Sequence, residues 1–301
     1  MSTERSGFLL IDKPAGITSH DVVGKVRRLY GTRRVGHTGT LDPMATGLLV
    51  ILVGRAAKAA EYLTVKKKTY RAVLRLGMTT DTEDVTGQIL KTSGDIPSKE
   101  QVISAAKTFE GEILQTPPMY SALKVGGQKL VDLARKGVEI ERTPRPVTVY
   151  SLSCDPLENG DYALNVSCSA GTYIRTLCAD IGKKLGCGGV MAALRRTETG
   201  EFSLDESITL KQLEALDEEA RFARLMPIDA LFADLAAVKL PAFYEKLCRS
   251  GCEIYQKKIG VDHLLQTRVR LCDAEGQFFA LGEVREYDEG LAIKPLKQFD
   301  I

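Results

Sequence analysis

Three short stretches of the chain hold side chains able to do chemistry without a metal or an organic cofactor. "GHTGTLDPMATG" (36–47) contains one carboxylate, Asp42, among small and apolar residues. Pro43 pushes the residue before it toward extended backbone, which restricts where Asp42 can point. Gly36, Gly39 and Gly47 leave room for another backbone or a ligand. "KKKTYR" (66–71) places Tyr70 at the start of a strand beside a lysine cluster, and "GTYIR" (171–175) places Tyr173 and Arg175 in the first turn of a helix. A carboxylate can attack carbon or take a proton and then depart. Either role needs the ionised form, which a nearby arginine favours. Each stretch also has an ordinary reading: an Asp-Pro turn, a half-buried strand tyrosine and a surface arginine.

Other chemistries find little support. The chain has no GxGxxG, no Walker loop, no HExxH and no nucleophile elbow. "TTDTEDVTG" (79–87) resembles a calcium loop only superficially. It lacks the glycine at the sixth position and the closing glutamate, so it reads as a loop rich in side-chain-to-backbone bonds. Seven scattered cysteines with no CxxC, and three distant histidines, argue against a disulfide frame or a zinc site. Free thiols fit a reducing cytoplasm. The longest apolar run near the site, Leu48–Val53, is far short of the roughly 18 residues a membrane span needs. The patch before Asp12 and Lys13 is too short for a signal peptide.

The elements that must position these residues follow from periodicity. "TSHDVVGKVRRLYG" (18–31) reads as an amphipathic helix capped by Thr18 or Ser19, buried through Val22, Val23, Val26 and Leu29, and stopped by Gly31. Residues 69–76, 147–154 and 161–168 alternate as half-buried strands, the last two joined by a turn at 156–160. "GTYIRTLCADIGKKLG" (171–186) reads as a second helix capped by Thr172, with Ile174, Leu177, Cys178, Ile181 and Leu185 as its buried stripe and Gly186 ending it. Helices interspersed with hairpins predict an α+β domain with a largely antiparallel sheet. After about residue 235, "RVRLC", "QFFALGEVR" and "LAIKPL", separated by turns, read as a small all-β module.

A net charge of +2 conceals an uneven distribution. Lys25, Arg27, Arg28, Arg33 and Arg34 run without an acid between them, and Arg55, Lys58, Lys66, Lys67, Lys68, Arg71 and Arg75 follow, broken only by Glu61. A basic N-terminal third points to a polyanion such as nucleic acid, although such runs are also ordinary solvated faces.

"DKPAGITSHDVV" followed by "RRVGHTGTLDPMATGLL" resembles the paired N-terminal motifs of the bacterial tRNA pseudouridine synthases of the TruB family. "KTYRAVLRLGMTTDTEDVTG", "PPMYSALKVGGQKLVDLARKG", "RPVTVYSL", "CSAGTYIRTLCADIGKKLG" and "LRRTETGEF" continue the resemblance in the same order, from residue 8 to about 204. The resemblance implies conversion of uridine 55 in the tRNA T-arm to pseudouridine, without cofactor or metal: the N1–C1′ bond is cleaved, the base rotates, and C5 rejoins the sugar. It implies that Asp42 is the essential aspartate and Arg175 its partner. Tyr70 would stack on the flipped base, His37 would contact the displaced RNA, and Tyr173 and Leu194 would line the pocket. Lys13 and Pro14 would support the catalytic loop, with Lys13 counted among the substrate-binding residues. Residues 118–140, with Lys124, Lys129, Arg135 and Lys136, match an insertion that clamps the T-loop.

The expected organisation is thus a pseudouridine synthase domain (1–234), its mixed, largely antiparallel sheet flanked by helices, and a PUA-like RNA-binding barrel (235–301), similar to modules appended to this family. Lys257, Lys258, Arg268 and Arg270 of that module would meet phosphate. The partner would be tRNA, with no membrane, no obligatory protein and a monomeric state. Three other readings differ in function. A non-catalytic RNA-binding protein would not need the aspartate that stands at 42, and a guide-RNA-dependent relative shares the core motifs but carries lysine-rich tails this chain lacks. A hydrolase would act on a small glycoside without RNA.

Overall fold

The computed structural model describes residues 5–63, 67–121 and 123–299; Lys66 of the basic stretch lies outside them. The chain opens with β1 (Gly7–Lys13), α1 (Ser19–Leu29), β2 (Val35–His37), β3 (Thr46–Val53) and β4 (Lys67–Leu76). A hairpin of β5 (Met78–Thr80) and β6 (Ile89–Thr92) leads to α2 (Lys99–Lys107) and β7 (Gly111–Gln115). The insertion folds as β8 (Lys124–Val125), β9 (Gln128–Lys129) and α3 (Leu130–Ala134). Then come β10 (Arg145–Pro156), β11 (Tyr162–Ser169), α4 (Ile174–Leu185), β12 (Gly189–Thr199), β13 (Phe202–Ser203) and β14 (Ile208–Thr209).

Among the described residues these strands form one ten-stranded sheet, whose main path runs β14-β1-β3-β12-β4-β11-β10-β7. Only β1 with β14 and β3 with β12 pair in parallel, so the sheet is mixed and largely antiparallel, as the hairpin pattern predicts. The short α5 (Leu210–Ala215) and α6 (Glu218–Ala223) follow it.

The unbroken apolar run of β3 has a simple cause: both of its faces are covered. Leu49, Ile51 and Val53 share a core with Val22 and Val26 of α1 and with Leu177 and Ile181 of α4. Leu48, Val50 and Leu52 face the other way, into a second core with Phe8, Ile228 and Phe232. α1 is fixed as its sequence suggests, by a capping box. Asp21 N–H donates to the Thr18 hydroxyl at 3.0 Å, and Thr18 N–H donates to the Asp21 carboxylate at 2.8 Å.

α4 begins later than the sequence reading places it. Its N-cap is Tyr173, without a side-chain capping bond, whereas Thr172 donates its hydroxyl to Ser169 O at 2.9 Å. Gln115 supplies the reason. It accepts from Tyr173 N–H at 2.7 Å and donates to Tyr173 O at 3.0 Å, so a neighbouring strand replaces the local cap.

The C-terminal segment forms a five-stranded sheet, β15 (Ala237–Lys239), β17 (Arg268–Cys272), β18 (Phe278–Tyr287), β19 (Gly290–Gln298) and β16 (Ile254–Tyr255), in that order. Two short helices, α7 (Ala242–Arg249) and α8 (Gln256–Ile259), accompany it, beyond the strands read from sequence. No helix of the described residues is long and apolar enough to cross a membrane. All seven cysteines are free.

The C-terminal sheet is not merely tethered. Phe278 and Phe299 join the second core, with Phe299 ring centroids 5.5 Å from Phe278 and 5.9 Å from Phe232. Phe299 is fully buried, so Phe299→Ala is expected to cost about 3–5 kcal/mol of stability. Urea denaturation checks this, and a loss below about 1 kcal/mol would show that the two sheets are not joined through this ring.

Candidate active site

Asp42 sits in the loop between β2 and β3, and its neighbours hold the loop rigidly. Ser19, buried at the start of α1, accepts from Leu41 N–H at 2.8 Å and donates to Leu41 O at 3.1 Å. Gly47 adopts φ 103°, and a Cβ there would lie 2.2 Å from Arg196 O, so only glycine lets β3 start against β12. Lys13 is fully buried and donates to Pro14 O, Ile17 O and Pro43 O at 2.8, 2.7 and 3.3 Å. The geometry corrects its expected place among substrate-binding residues. Its ammonium is spent on carbonyls beneath the loop, and burial pulls it down to about 8.

Arg196, fully buried on β12, completes the support. Its Nε donates to Leu48 O at 2.7 Å, and its terminal nitrogens reach Thr40 O at 3.4 Å and Gly39 O at 3.2 Å. Sequence reading passed over this residue, since nothing local distinguishes it from its exposed-strand neighbours.

The carboxylate of Asp42 meets Arg175 in the first turn of α4. Arg175 Nε lies 2.9 Å from Asp42 Oδ2, and the guanidinium is buried while about a third of the Asp42 side chain, 35%, remains exposed. The same guanidinium donates to Thr82 O at 2.9 Å and Tyr120 O at 2.7 Å, and stands 3.8 Å from Asp84. Burial raises the Asp42 carboxyl above the ordinary range; Arg175 opposes that and Asp84 adds to it.

Asp84 was not singled out from the sequence. Its loop is indeed rich in local bonds, since Asp84 accepts from the Thr82 hydroxyl at 2.8 Å and from Thr86 N–H at 2.9 Å. It is also tied to the site. Glu83, at φ 63°, accepts from the Thr176 hydroxyl at 2.6 Å, and Met191 N–H donates to Glu83 O at 3.0 Å. The available signal was six acidic or hydroxyl side chains in a row, residues 79–84, within a segment already resembling the family; the pairing across 91 residues was not readable. Among the described residues, no three His, Cys, Asp or Glu side chains gather as a metal site.

The other expected residues are placed as follows. Tyr70 and Leu194 are buried in the main core at 6% and 9% exposure, on adjacent strands β4 and β12. Tyr70 is close enough for the Asp42 charge to be felt at its hydroxyl, which burial raises first of all. Tyr173 is half-buried at the N-cap of α4. His37 ends β2; its Nδ1 is buried without a partner, and burial, then Arg196 and His20, lower the imidazole below its ordinary range. Lys124, Arg135 and Lys136 of the insertion are exposed. In the C-terminal sheet Lys257 and Lys258 are exposed, but Arg268 donates to Tyr62 O at 3.3 Å and Arg270 to Leu235 O at 3.0 Å. Arg268, expected to meet phosphate, thus also ties the module to the segment before β4, whereas the Arg270 bond stays at the start of the module itself.

Residues 27–174 match the N-terminal domain of the TruB family pseudouridylate synthases, and residues 175–233 match the tRNA pseudouridylate synthase B C-terminal domain. The chain is 46% identical over 277 residues to tRNA pseudouridine synthase B of Dechloromonas aromatica (strain RCB), covering 92% of this chain and 91% of that protein. It is 44% identical over 281 residues to tRNA pseudouridine synthase B of Clostridium kluyveri, covering 93% and 96%. Among solved structures, a chain of a Cbf5-Nop10-Gar1 complex superposes with a TM-score of 0.75 at 27% identity, over 98% of this chain and 85% of that one. With family models matching residues 27–233 and close relatives along nearly its whole length, the chain belongs to the TruB family of pseudouridylate synthases.

Proposed function

We propose that this protein isomerises uridine 55 in the T-arm of tRNA to pseudouridine. The observation that carries the reading is the Asp42–Arg175 contact at 2.9 Å, in a family whose curated relatives are named tRNA pseudouridine synthase B. The reaction is balanced within the substrate: the N1–C1′ bond breaks, a C5–C1′ bond forms, C5 gives up a proton and N1 gains one. Asp42 is the ionised group that attacks carbon or removes the proton. Arg175 opposes the effect of burial and favours the charged form of Asp42. Asp84, Thr82 O and Tyr120 O fix the guanidinium.

A uridine inside a folded arm must leave its stack before either carbon is reached, at a cost of a few kcal/mol. The Tyr70 ring packs on the extruded base, Tyr173 and Leu194 close the pocket, and His37, held neutral by its surroundings, occupies the space the base leaves. The exposed cations of the insertion meet T-loop phosphates. Residues 235–301 act as a PUA-like accessory, led by the exposed Lys257 and Lys258. The enzyme works alone, without a guide RNA. Support comes from 46% identity to a tRNA pseudouridine synthase B, against 27% to the Cbf5-complex chain.

Mapping pseudouridine in tRNA incubated with the protein alone tests the whole reading; absence of modification at uridine 55 would end it. Asp42→Asn is expected to lower the single-turnover rate by more than about 100-fold, with tRNA binding nearly unchanged. The pH profile carries a signed expectation. The rate rises as Asp42 loses its proton, so removing the opposing cation in Arg175→Met should move the acid limb to higher pH. Removing the neighbouring charge in Asp84→Asn should move it to lower pH while reducing the maximal rate. Limbs that coincide with the wild type in both variants would show that Asp42 is not the titrating group.

A further inference from the structure

One cation near the site has no assigned task. Lys68 lies two residues before Tyr70 on β4, so both side chains stand on the same face, about 7 Å apart along the strand. A lysine with a free path to water extends its ammonium into it. Lys68 instead is half-buried, its Nζ turned over Gly39 of the catalytic loop, 3.1 Å from where a Cβ would stand. Gly39 does not adopt a positive φ, and without a side chain it leaves the ammonium close against the loop backbone.

Beside it is a second cation. A guanidinium nitrogen of Arg196 lies 3.7 Å from the same point over Gly39. The Arg196 guanidinium is occupied by the carbonyls of residues 39, 40 and 48, whereas Lys68 has no hydrogen-bond or ion-pair partner among the described residues. Cys168, opposite Lys68 in the sheet, is pushed up to about 11 by burial and stays a neutral thiol, so it is no counter-ion. Burial, then Arg196, lower the ammonium of Lys68 to about 8. Two cations crowd one notch of the loop that carries Asp42, and among the described residues no anion pairs with Lys68.

We propose that Lys68, with Gly39 and Arg196, forms a phosphate notch that takes one backbone phosphodiester of the RNA next to the nucleotide presented to Asp42. The assignment rests on the RNA-modifying reading above. A strand whose base enters between Asp42 and Tyr70 passes its backbone over Gly39, three residues from Asp42 on the same loop. The phosphate bridges the Lys68 ammonium and the positive field of Arg196, replacing their mutual repulsion by attraction. Lys68 is thereby a binding residue, and its contribution belongs to affinity, not to the chemical step.

The test uses the full-length protein and T-arm hairpin RNAs carrying a single uncharged methylphosphonate, moved one by one through the phosphates flanking the target uridine. Equilibrium Kd and the single-turnover rate at saturating RNA are measured for wild type, Lys68→Met and Lys68→Arg. Lys68→Met is expected to weaken binding about tenfold and to flatten the slope of log K against log salt by about 0.7–0.9, with the saturated rate nearly unchanged. Lys68→Arg, which keeps the charge, should recover most of the affinity. One methylphosphonate position should weaken the wild type about tenfold and Lys68→Met not at all. Because the lysine has no partner in the free protein, Lys68→Met should melt at or above the wild-type temperature.

A lowered melting temperature, a loss of saturated rate with unchanged Kd, or methylphosphonate penalties that persist in Lys68→Met at every position would each overturn the proposal. The functional reading fails separately. If the wild type binds the hairpin with a Lys68-dependent phosphate effect yet forms no pseudouridine, the notch stands and the assigned reaction falls. If the wild type is active and Lys68→Met is indistinguishable from it, the reaction stands and the notch falls.

Discussion

Burying the guanidinium of Arg175 is the constraint on which the site depends. An unpaired ion taken out of water costs several kcal/mol even after relaxation, and Arg175 is 5% exposed. It also stands in the first turn of α4, where the partial positive charge of the helix end works against a cation. The structure answers with acceptors from three separate segments: Asp42 from the β2–β3 loop, Thr82 O and Asp84 from the β5–β6 hairpin, and Tyr120 O from the edge of the insertion. One cation's need for partners thus gathers the Asp42 carboxylate, a supporting loop and the edge of the 118–140 insertion around a single helix start.

A second buried guanidinium fixes the same loop by its backbone. Arg196 gathers the carbonyls of residues 39, 40 and 48, Ser19 grips both polar groups of Leu41, and Lys13 reaches Pro43 O from beneath. Asp42 is therefore held at both levels, its side chain by Arg175 and its main chain by Arg196, Ser19 and Lys13. Such a loop has little to reorganise when charge develops at the reacting centre, which is the condition for electrostatic preorganisation. The two arginines divide the work: one sets the charge of the carboxylate, the other sets where it is.

The sheet behind the loop serves two cores at once. β3 buries one row of side chains against α1 and α4 and the other against Phe232, Phe278 and Phe299. The strand that leaves the catalytic loop is thereby wedged between the helices and the C-terminal sheet. Arg268 reinforces that junction through Tyr62 O. The C-terminal sheet is a structural neighbour of the catalytic strand as well as a candidate RNA contact.

How much of this was legible in the residues alone varies by kind. The amphipathic stripe and capping box of α1, the alternation of β4, β10 and β11, and the isolation of Asp42 before Pro43 could be read directly, because each depends on neighbours a few positions away. The order of the family motifs pointed to Asp42, Tyr70, Tyr173 and Arg175 as one site, and the Asp42–Arg175 ion pair agrees with it. The true start of α4 could not be read, because its cap is replaced by Gln115 from another strand. Lys13 looks like any lysine until the carbonyls of residues 14, 17 and 43 are seen to converge on it. Asp84, Arg196 and Lys68 owe their meaning to partners 91, 157 and 29 positions away in the chain. Local sequence sets periodicity and caps, which are short-range steric and hydrogen-bonding effects; the pairing of buried charges is a long-range matter that only the packed sheet decides.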